Sequence, residues 1–374
     1  MRVGLFGGSF NPVHLQHLNI AEAVRAKASL DEVWIVPVFK AVHKQGSDLL
    51  PFKRRFELVE AAVAGREGLF CSDIEKRLDG PSYTIRMVRH VKREFPSHEF
   101  FLILGSDSLR DLPTWKDAGE LAKEIPFIVV GRPGVENAGK LPNAESRWVA
   151  MAANPASSSS IRSALRSGRF KGLPVPAAAM ARIVAGDLYD CLGHDFRLWL
   201  KEVTAREANL PKGMQAHLAG VALLTAEFAA ALSEDPRRGY LAGISHDIFR
   251  LSGKSEVERW ASQGGRELNL HEKQEHMLAH GLAAAGFLRS LRPKVPDAIV
   301  AAVRSHTFPR IGLAALTRAL IMGDALDPGR GKPELDALRN SGVSLDEKYL
   351  QVVIRKRKRA LAKQNLPLRN CSHD

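Results

Sequence analysis

Two histidines three residues apart, His14 and His17, follow a glycine-containing apolar run near the start of the chain, GLFGGSFNPVHLQH over residues 4–17. Gly7 and Gly8 have no Cβ, so the main chain there can approach a bulky anion closely. Residues three apart share one helix face, and a helix N-terminus offers free N–H groups and partial positive charge. The spacing predicts two imidazoles that face a phosphoryl group. Solvated or capping histidines are the alternative, but the glycines ahead of them favour phosphate handling.

A second set of chemistry-bearing residues falls on several segments with helical periodicity in the other half of the chain. In order, they are His217, His246, Asp247, His280, His306 and Asp324. Helical bundles build metal sites from histidine and carboxylate side chains that face inward from different helices. Neutral imidazoles with carboxylates suit iron, manganese or zinc better than calcium. A single histidine would more often be a core or surface residue, so this metal prediction depends on the whole set.

The elements that must position the first pair read as alternating strands and helices. The expected strands begin near Arg2, Val33, Phe70, Phe100 and Phe127. This alternation predicts a Rossmann-like α/β fold, a parallel sheet with helices on both faces. Ligands of such sheets bind at the carboxyl ends of the strands, where Gly7, Pro37 and Gly105 fall.

The alternation ends after about residue 190, and residues 196–362 show helical periodicity without a convincing strand. We therefore expect an α/β domain over residues 1–190, an all-α domain over 195–350 and a basic helix or tail over 351–374. With 374 residues, of which 45% are hydrophobic, the chain can form two cores. It has neither a run of about eighteen apolar residues nor a leader-like start, so we expect a cytoplasmic protein with no membrane partner.

The chain carries a formal net charge of +13, part of it in the basic run at residues 355–359, RKRKR. This run is expected to be a solvated helix face or a tail, and the alternative is a contact with RNA or a partner. Because no aromatic residues interleave the run to stack on bases, we do not expect nucleic acid as a partner. The sequence does not set the oligomeric state, and a homo-oligomer stays open.

The glycine–histidine run resembles the signature of the HIGH-type nucleotidyltransferases, and the segments after it resemble the nicotinate-nucleotide adenylyltransferase family in particular. These segments keep the family's order over about residues 1–190, at 30–37, 43–44, 72–75, 80–85, 104–115, 129–133 and 157–162. Two positions depart from the family pattern. Gln16 replaces the usual glycine between the histidines, and Ala156 replaces the isoleucine that begins the last motif.

This resemblance implies adenylyl transfer from ATP, accompanied by Mg²⁺, to nicotinate mononucleotide, a step of NAD biosynthesis that gives deamido-NAD and pyrophosphate. It implies that His14 and His17 are catalytic. The ATP-binding residues that it implies are Gly7, Gly8, Ser9, Phe10, Lys44, Gly105, Asp107, Ser157, Ser158, Ser159, Ile161 and Arg162. Those for the mononucleotide are Ser82, Tyr83, Thr84, Leu112 and Trp115. Nicotinamide mononucleotide and phosphopantetheine stay open as alternative acceptors.

The second set of residues resembles the HD superfamily of metal-dependent phosphohydrolases and, more narrowly, the bacterial HD family that cleaves diadenosine tetraphosphate symmetrically. Residues 305–307 (SHT) and 323–330 (GDALDPGR) are close to further segments of that family, with Asp327 where glutamate is usual. The resemblance implies hydrolysis of a dinucleotide polyphosphate at a di-metal centre, with iron or manganese as the metal.

The ligand set follows from the same resemblance. One metal would be held by His217, His246, Asp247 and Asp324, and the second by His280 and His306, with Asp247 between them as a catalytic residue. An HD domain that binds a nucleotide or a partner for regulation, without catalysis, is the alternative.

Overall fold

A computed structural model describes residues 1–40, 48–78, 80–131, 145–152 and 156–363, with side chains up to residue 359. Its contacts divide the chain into two compact units. The first comprises Met1–Ser163 and Leu173–Ala179, and the second comprises Ala164–Gly172 and Met180–Asp374. The domain ranges 1–190, 195–350 and 351–374 stay predictions from the sequence.

The first unit contains a parallel β-sheet. Its strands are β1 (Arg2–Gly8), β2 (Glu32–Pro37), β3 (Leu69–Cys71), β4 (Glu99–Gly105), β5 (Phe127–Gly131) and β6 (Ser146–Ala150). They are paired in parallel in the order β3-β2-β1-β4-β5-β6. This confirms the expected α/β sheet. The sequence did not reveal β6, because this edge strand is mostly exposed and buries only Val149 fully.

Helices and the core of this unit hold the sheet from both sides. The helices are α1 (Leu15–Ala28), α2 (Phe52–Val63), α3 (Thr84–Glu94), α4 (Ser106–Asp111), α5 (Ala118–Glu124), α6 (Ser158–Arg166) and α7 (Ala177–Ala185), the last two of which begin here. The core packs β1, β4 and β5 against α3 and α5 through residues such as Leu5, Val88 and Leu121. Strand order reverses between β1 and β4, which are paired at Leu5 and Leu102, and ligands of such sheets bind at the carboxyl ends of strands beside this point.

The second unit is built of helices, and no strand occurs among its described residues, as expected. Its helices are α8 (Gly193–Glu207), α9 (Lys212–Ala231), α10 (Pro236–Ser245), α11 (Lys254–Ala261), α12 (Leu270–Gln274), α13 (His280–Ser290), α14 (Asp297–Ser305), α15 (Ala315–Ala325), α16 (Pro333–Asn340) and α17 (Leu345–Lys363). Short 3₁₀ turns cover Leu188–Asp190, His276–Ala279 and Pro328–Arg330.

Helix α9 is the centre of this unit and packs against α10 and α15. Gly243 of α10 permits the close approach, since a Cβ there would lie 2.5 Å from Cα of Ala222. By length and apolar composition alone, α9 would also qualify as a membrane span. Its buried residues, which include Val221, Ala226 and Phe228, contribute instead to the core of the helical unit.

Candidate active site and candidate metal centre

The two histidines of the first unit lie just after the carboxyl end of β1. His14 is the N-cap residue of α1, and His17 lies in its first turn. Their rings stack, with centroids 3.7 Å apart and 26° between the planes, so both imidazoles do share one face. Gly7 is exposed, and a Cβ added there would meet nothing within 4 Å. A ligand can therefore lie directly against the main chain in front of the histidines.

The hydrogen bonding of His17 determines which of its ring nitrogens can donate. Nδ1 of His17 accepts the main-chain N–H of His14 at 3.1 Å, so a neutral ring carries its proton on Nε2. Burial lowers the pKa of His14 to about 4, and burial together with the neighbouring His14 lowers the pKa of His17 to about 3. Both rings are thus neutral at pH 7. The Nε2–H group of His17 is then a donor suited to negative charge on a phosphate.

The N-terminal end of α6 adjoins the turn that precedes these histidines. The Ser158 hydroxyl donates to the carbonyl of Pro12 at 3.0 Å, and Nη1 of Arg162 donates to the carbonyl of Asn11 at 2.9 Å. The Ser157 hydroxyl accepts the N–H of Ser160 at 3.1 Å. The structure thus brings residues 157–162 (the serine motif) next to the turn that precedes His14 and His17. The N-terminus of a helix such as α6 binds phosphate readily.

The other expected residues of the serine motif and of the loop after β1 pack beside the residues just described. Ser159 Oγ lies 3.2 Å from Ser157 Oγ, and Ile161 is buried. The Phe10 ring packs edge-on against the His17 ring, with centroids 4.9 Å apart. Gly8 leaves room for that ring, because a Cβ on Gly8 would lie 2.9 Å from Cζ of Phe10.

A buried arginine that the sequence did not single out fixes the loop after β1. Arg55 of α2 is 1% exposed, and its guanidinium donates to three main-chain carbonyls. They belong to Ser9 at 2.9 Å, Val38 at 2.6 Å and Leu50 at 2.9 Å. Arg55 therefore ties the loop after β1 to the chain after β2. It follows Lys53 and Arg54 in the sequence, and nothing in that basic run indicates which of the three is buried.

The residues expected to meet the mononucleotide lie at one end of α3 and near α4. The Ser82 hydroxyl accepts the N–H of Lys40 at 2.9 Å, Tyr83 is the N-cap residue of α3, and Thr84 begins that helix. Tyr83 and Trp115 are partly buried against the same core. Leu112 is wholly buried in that core.

Three more residues were expected to bind ATP: Gly105, Asp107 and Lys44. Gly105 is exposed at the end of β4, with open space where a Cβ would stand. Asp107 is exposed and pairs with Arg110 at 2.9 Å. Lys44 lies outside the described residues.

In the second unit, the six expected metal ligands converge from five helices. His217 lies on α9, His246 and Asp247 directly follow α10, and His280 begins α13. His306 is the C-cap residue of α14, and Asp324 lies in the last turn of α15. All but the half-buried His217 are buried.

Hydrogen bonds fix the tautomer of each histidine in this cluster. Nδ1 lies 2.7 Å from the carbonyl of Gly243 in His246, 2.6 Å from that of Met277 in His280 and 2.7 Å from that of Val303 in His306. A carbonyl only accepts, so each Nδ1 carries the proton. Nδ1 of His217 lies 2.7 Å from Oδ2 of Asp327, which orients that ring in the same way. All four rings can present a lone pair on Nε2, the arrangement that metal-binding histidines show.

Asp247 stands between two groups of donor atoms. Its Oδ1 lies 2.8 Å from Nε2 of His280 and 3.4 Å from Nε2 of His306. Its Oδ2 lies 3.6 Å from Nε2 of His246. The donor atoms of His217, His246 and Asp247 form one group within 4.8 Å, and those of Asp247, His280 and His306 form the other.

Asp324 completes the first of these groups. Its Oδ1 lies 3.7 Å from Nε2 of His217 and 3.8 Å from Nε2 of His246. Cations hold this carboxylate from outside: Lys356 Nζ donates to Oδ2 at 2.8 Å, and Arg330 donates to Oδ1. Asp247 is held in the same way by Nη1 of Arg250, 3.0 Å from its Oδ2.

The cluster fits divalent transition metals. Nε2 of His246 and Oδ1 of Asp247 are buried, and no described residue forms a well-made hydrogen bond with either. Buried polar atoms without partners are costly, and a bound cation would satisfy both. Imidazoles with carboxylates are the donors that iron, manganese and zinc accept.

The charge state of the cluster agrees with this fit. Burial alone would raise the pKa of Asp247, but His246, His280 and His306 hold it well below its usual range. Burial, against the opposing effect of Asp247, lowers the pKa of His306 to about 4. Burial acts to lower the pKa of His246, but the carboxylates of Asp247 and Asp324 outweigh it and raise that pKa above its usual value, because they favour positive charge at this position.

Sequence reasoning did not assign roles to four residues around this cluster. They are Arg250, Asp327, Arg330 and Lys356. Asp327 and Arg330 lie in the quoted segment 323–330, which was the available signal. Nothing in the basic run 355–359 pointed to Lys356.

Comparisons with known proteins agree with both halves of this description. A cytidylyltransferase-like family model matches residues 5–164, and an HD domain model matches residues 214–350. A probable nicotinate-nucleotide adenylyltransferase from Salinibacter ruber is 39% identical over 191 residues, which cover 50% of this chain and 98% of the relative.

Two solved structures are similar to parts of the chain. Nicotinic acid mononucleotide adenylyltransferase from Plasmodium falciparum, complexed with NaAD, has a TM-score of 0.41 and 19% identity, over 50% of this chain and 97% of that one. A predicted HD superfamily hydrolase involved in NAD metabolism, from Clostridium acetobutylicum, has a TM-score of 0.40 and 21% identity, over 46% of this chain and 90% of that one. The narrower likeness to diadenosine tetraphosphate hydrolases stays a prediction. Through its first half, the chain belongs to the nicotinate-nucleotide adenylyltransferase family, and its second half carries an HD domain.

Proposed function

We propose that the first unit transfers an adenylyl group from ATP, accompanied by Mg²⁺, to nicotinate mononucleotide, giving deamido-NAD and pyrophosphate. The observation that supports this most directly is the stacked pair His14–His17 in front of the exposed Gly7. The 39% identity to the relative from Salinibacter ruber favours this acceptor over nicotinamide mononucleotide and phosphopantetheine.

In this mechanism, a phosphate oxygen of the mononucleotide attacks the α-phosphorus of ATP in line. A new P–O bond forms, the bond from the α-phosphorus to the bridging oxygen breaks, and pyrophosphate leaves with that oxygen. Such transfers depend on positioning and charge stabilisation. Nε2–H of His17 donates to the α-phosphate, beside His14 and the main chain of Gly7.

The other residues position the two substrates. Ser157, Ser158, Ser159, Arg162 and Lys44 hold the triphosphate, as the family resemblance implies. Burial keeps the pKa values of the two imidazoles far below 7, so both rings are neutral before the triphosphate binds. Thr84 and Trp115 receive the nicotinate end of the acceptor.

The test is steady-state kinetics of His17→Ala with all three acceptors. Loss of one donor to the transition state typically lowers kcat by about 10²- to 10³-fold, and we expect ATP affinity to change much less. His90→Ala, on α3, is the matched control and should keep wild-type turnover. Wild-type turnover by His17→Ala, or a preference for either alternative acceptor, would overturn this assignment.

A second function is favoured by the position of Asp247 between two histidine groups. We propose that the HD domain hydrolyses a phosphoanhydride bond of a dinucleotide polyphosphate such as diadenosine tetraphosphate. His217, His246, Asp247 and Asp324 would hold one ion, and His280 and His306 a second, with Asp247 facing both. Iron or manganese held there would activate a water molecule and neutralise charge on the leaving oxygen.

The chain's own residues keep this centre assembled. Arg330 and Lys356 hold the Asp324 carboxylate in place, and Arg250 does the same for Asp247. The proton that each Nδ1 donates outward keeps each Nε2 free to bind metal. In this hydrolysis, the oxygen of water forms a bond to one phosphorus of a P–O–P link and the bond from that phosphorus to the bridging oxygen breaks. The bridging oxygen leaves with the other phosphorus, and the protons of water are released or taken up by the two phosphate products.

The test combines elemental analysis of the purified protein with hydrolysis of diadenosine tetraphosphate by Asp247→Asn. We expect bound iron or manganese in the wild type and a loss of hydrolysis in the variant, whereas Asp297→Asn, at an exposed acid on α14, should behave as the wild type. Nucleotide binding without hydrolysis in the metal-loaded wild type would favour a regulatory HD domain instead.

A further inference from the structure

A cavity of about 880 Å³ opens onto the candidate metal centre of the helical unit. His280, His306 and Asp324 form its polar floor, and Met277 and Phe308 are among its apolar lining residues. Its volume is that of a small-molecule site, which usually combines an apolar surface with a few placed polar groups. The cavity can therefore hold more of a ligand than the one phosphate next to the metal ligands.

Positive charge dominates the lining of this cavity. Only two carboxylate residues, Glu275 and Asp324, are found among the described residues that line it. Six cationic side chains oppose them, those of Arg250, Arg330, Arg355, Lys356, Arg357 and Arg359. Such an excess, focused in a cleft, attracts an anion that carries several negative charges.

Helix α17 supplies four of these six cations, and one of its contacts fixes how it faces the cavity. Nζ of Lys356 donates to Oδ2 of Asp324 at 2.8 Å, and the Lys356 side chain is only 26% exposed. The basic run is therefore not simply a solvated face or a tail. Arg355 and Arg359 share one helix face and lie about 6 Å apart along the axis, so the positive charge of the lining is spread along the cavity rather than gathered at one point.

We propose that Arg355, Lys356, Arg357 and Arg359 form a binding wall for an oligophosphate chain in the HD cavity. Lys356 contacts Asp324 next to the metal ligands, and the three arginines, which also line the cavity, stand before and after it in the helix. Phosphates beyond the one that reacts would lie along this wall, and the apolar lining would accept a nucleobase. This inference rests on the proposed hydrolase function for the identity of the reacting phosphate.

The experiment measures binding to metal-depleted full-length protein by calorimetry, with sodium tripolyphosphate, diadenosine tetraphosphate and adenosine monophosphate as separate probes. The test variant is Arg355→Gln/Arg357→Gln/Arg359→Gln, which leaves Lys356 on Asp324. A matched control, Lys201→Gln/Lys254→Gln/Lys294→Gln, removes the same charge from exposed positions of the same unit.

We expect wild-type protein to bind tripolyphosphate more tightly than adenosine monophosphate, and the test variant to lose about ten- to hundredfold of that affinity at low salt. The control should lose much less, and metal content after reloading should be equal in all three proteins. If tripolyphosphate and diadenosine tetraphosphate bind with equal affinity, the arginines recognise the row of phosphates alone. If diadenosine tetraphosphate binds more tightly, the nucleoside groups attached to the phosphates also contribute to binding.

Two outcomes would overturn the proposed binding wall. One is equal affinity for tripolyphosphate in the test variant and the wild type. The other is binding of an RNA oligonucleotide to the protein that tripolyphosphate does not displace. Failure of the proposed hydrolase is distinguishable from both. It would appear as absent metal and unchanged hydrolysis in Asp247→Asn, while the metal-depleted protein still bound tripolyphosphate through the arginines.

Discussion

Oδ2 of Asp327 lies 2.7 Å from Nδ1 of His217, so a carboxylate outside the six expected ligands orients the ring of His217. Gly220 leaves room for this contact, because a Cβ there would lie 2.6 Å from Oδ1 of Asp327. Outer carboxylates of this kind raise the basicity of a metal-binding imidazole and hold its tautomer.

We expect Asp327→Ala to weaken binding of Mn²⁺ to metal-depleted protein by about 10- to 100-fold, since loss of such partners typically has that effect. Titration calorimetry measures the change. Asp297→Ala, at a position whose side chain is 72% exposed, is the control and should bind Mn²⁺ as the wild type does. Unchanged affinity in Asp327→Ala would show that metal binding does not depend on the contact between Asp327 and the His217 ring.

Gly281→Ala tests the second histidine group without changing a ligand. A Cβ at Gly281 would lie 2.9 Å from both Cε1 of His306 and Oγ1 of Thr307, so the segment that carries His306 and the main chain at Gly281 must shift relative to each other. We expect about tenfold weaker metal binding, by the same sensitivity of metal sites to the shell around their ligands. Gly213→Ala is the matched control, because it lies on α9 with nothing within 4 Å of its added Cβ. Equal metal affinity in the two variants would contradict the prediction.

Arg55→Met should destabilise the first unit by about 3 kcal/mol, because it removes a buried donor from the partly buried carbonyls of Ser9, Val38 and Leu50. Hydrogen exchange of peptides from β1 and β2 measures the loss locally. The neighbouring Arg54→Met removes a half-exposed arginine that pairs only with Glu57 among the contacts described for it, and a change within about 0.5 kcal/mol is expected there. Equal protection in both variants would argue against a structural role for Arg55.

Acid should destabilise the first unit through His14. Its folded-state pKa is about 4 against an ordinary 6.5, so between these values the unfolded chain binds the proton and stability falls as pH falls. From pH 7 to pH 5 this residue should remove about 2 kcal/mol, an amount that His14→Ala should not lose. The measurement is the urea dependence of hydrogen exchange in β1 peptides, corrected for the intrinsic rate at each pH. An identical pH response in the variant would mean that other groups cause the loss.

Local patterns explain what could be predicted from the sequence. The buried runs of β1 and β4 and the three-residue spacing of His14 and His17 are visible within a few residues. The missed features depend on contacts between distant parts of the chain. His217 and Asp327 are 110 positions apart, and Asp324 and Lys356 are 32 apart. The sequence could not indicate that Arg55 is buried and Arg54 exposed, because both are arginines in the same basic run. The difference depends on the position of the three carbonyls in the folded loops.

Asp247 offers one oxygen to each histidine group, and this sharing has a consequence for how the protein takes up metal. Because both ions would draw on the same carboxylate, whatever change the first ion makes in the affinity for the second, the second makes in the affinity for the first, by an equal factor. With two ions bound as proposed, occupancy of the two positions would be a joint property of the pair. A chain that lost one ion would hold the other with an altered affinity, so the centre would respond to metal supply as a single coupled unit.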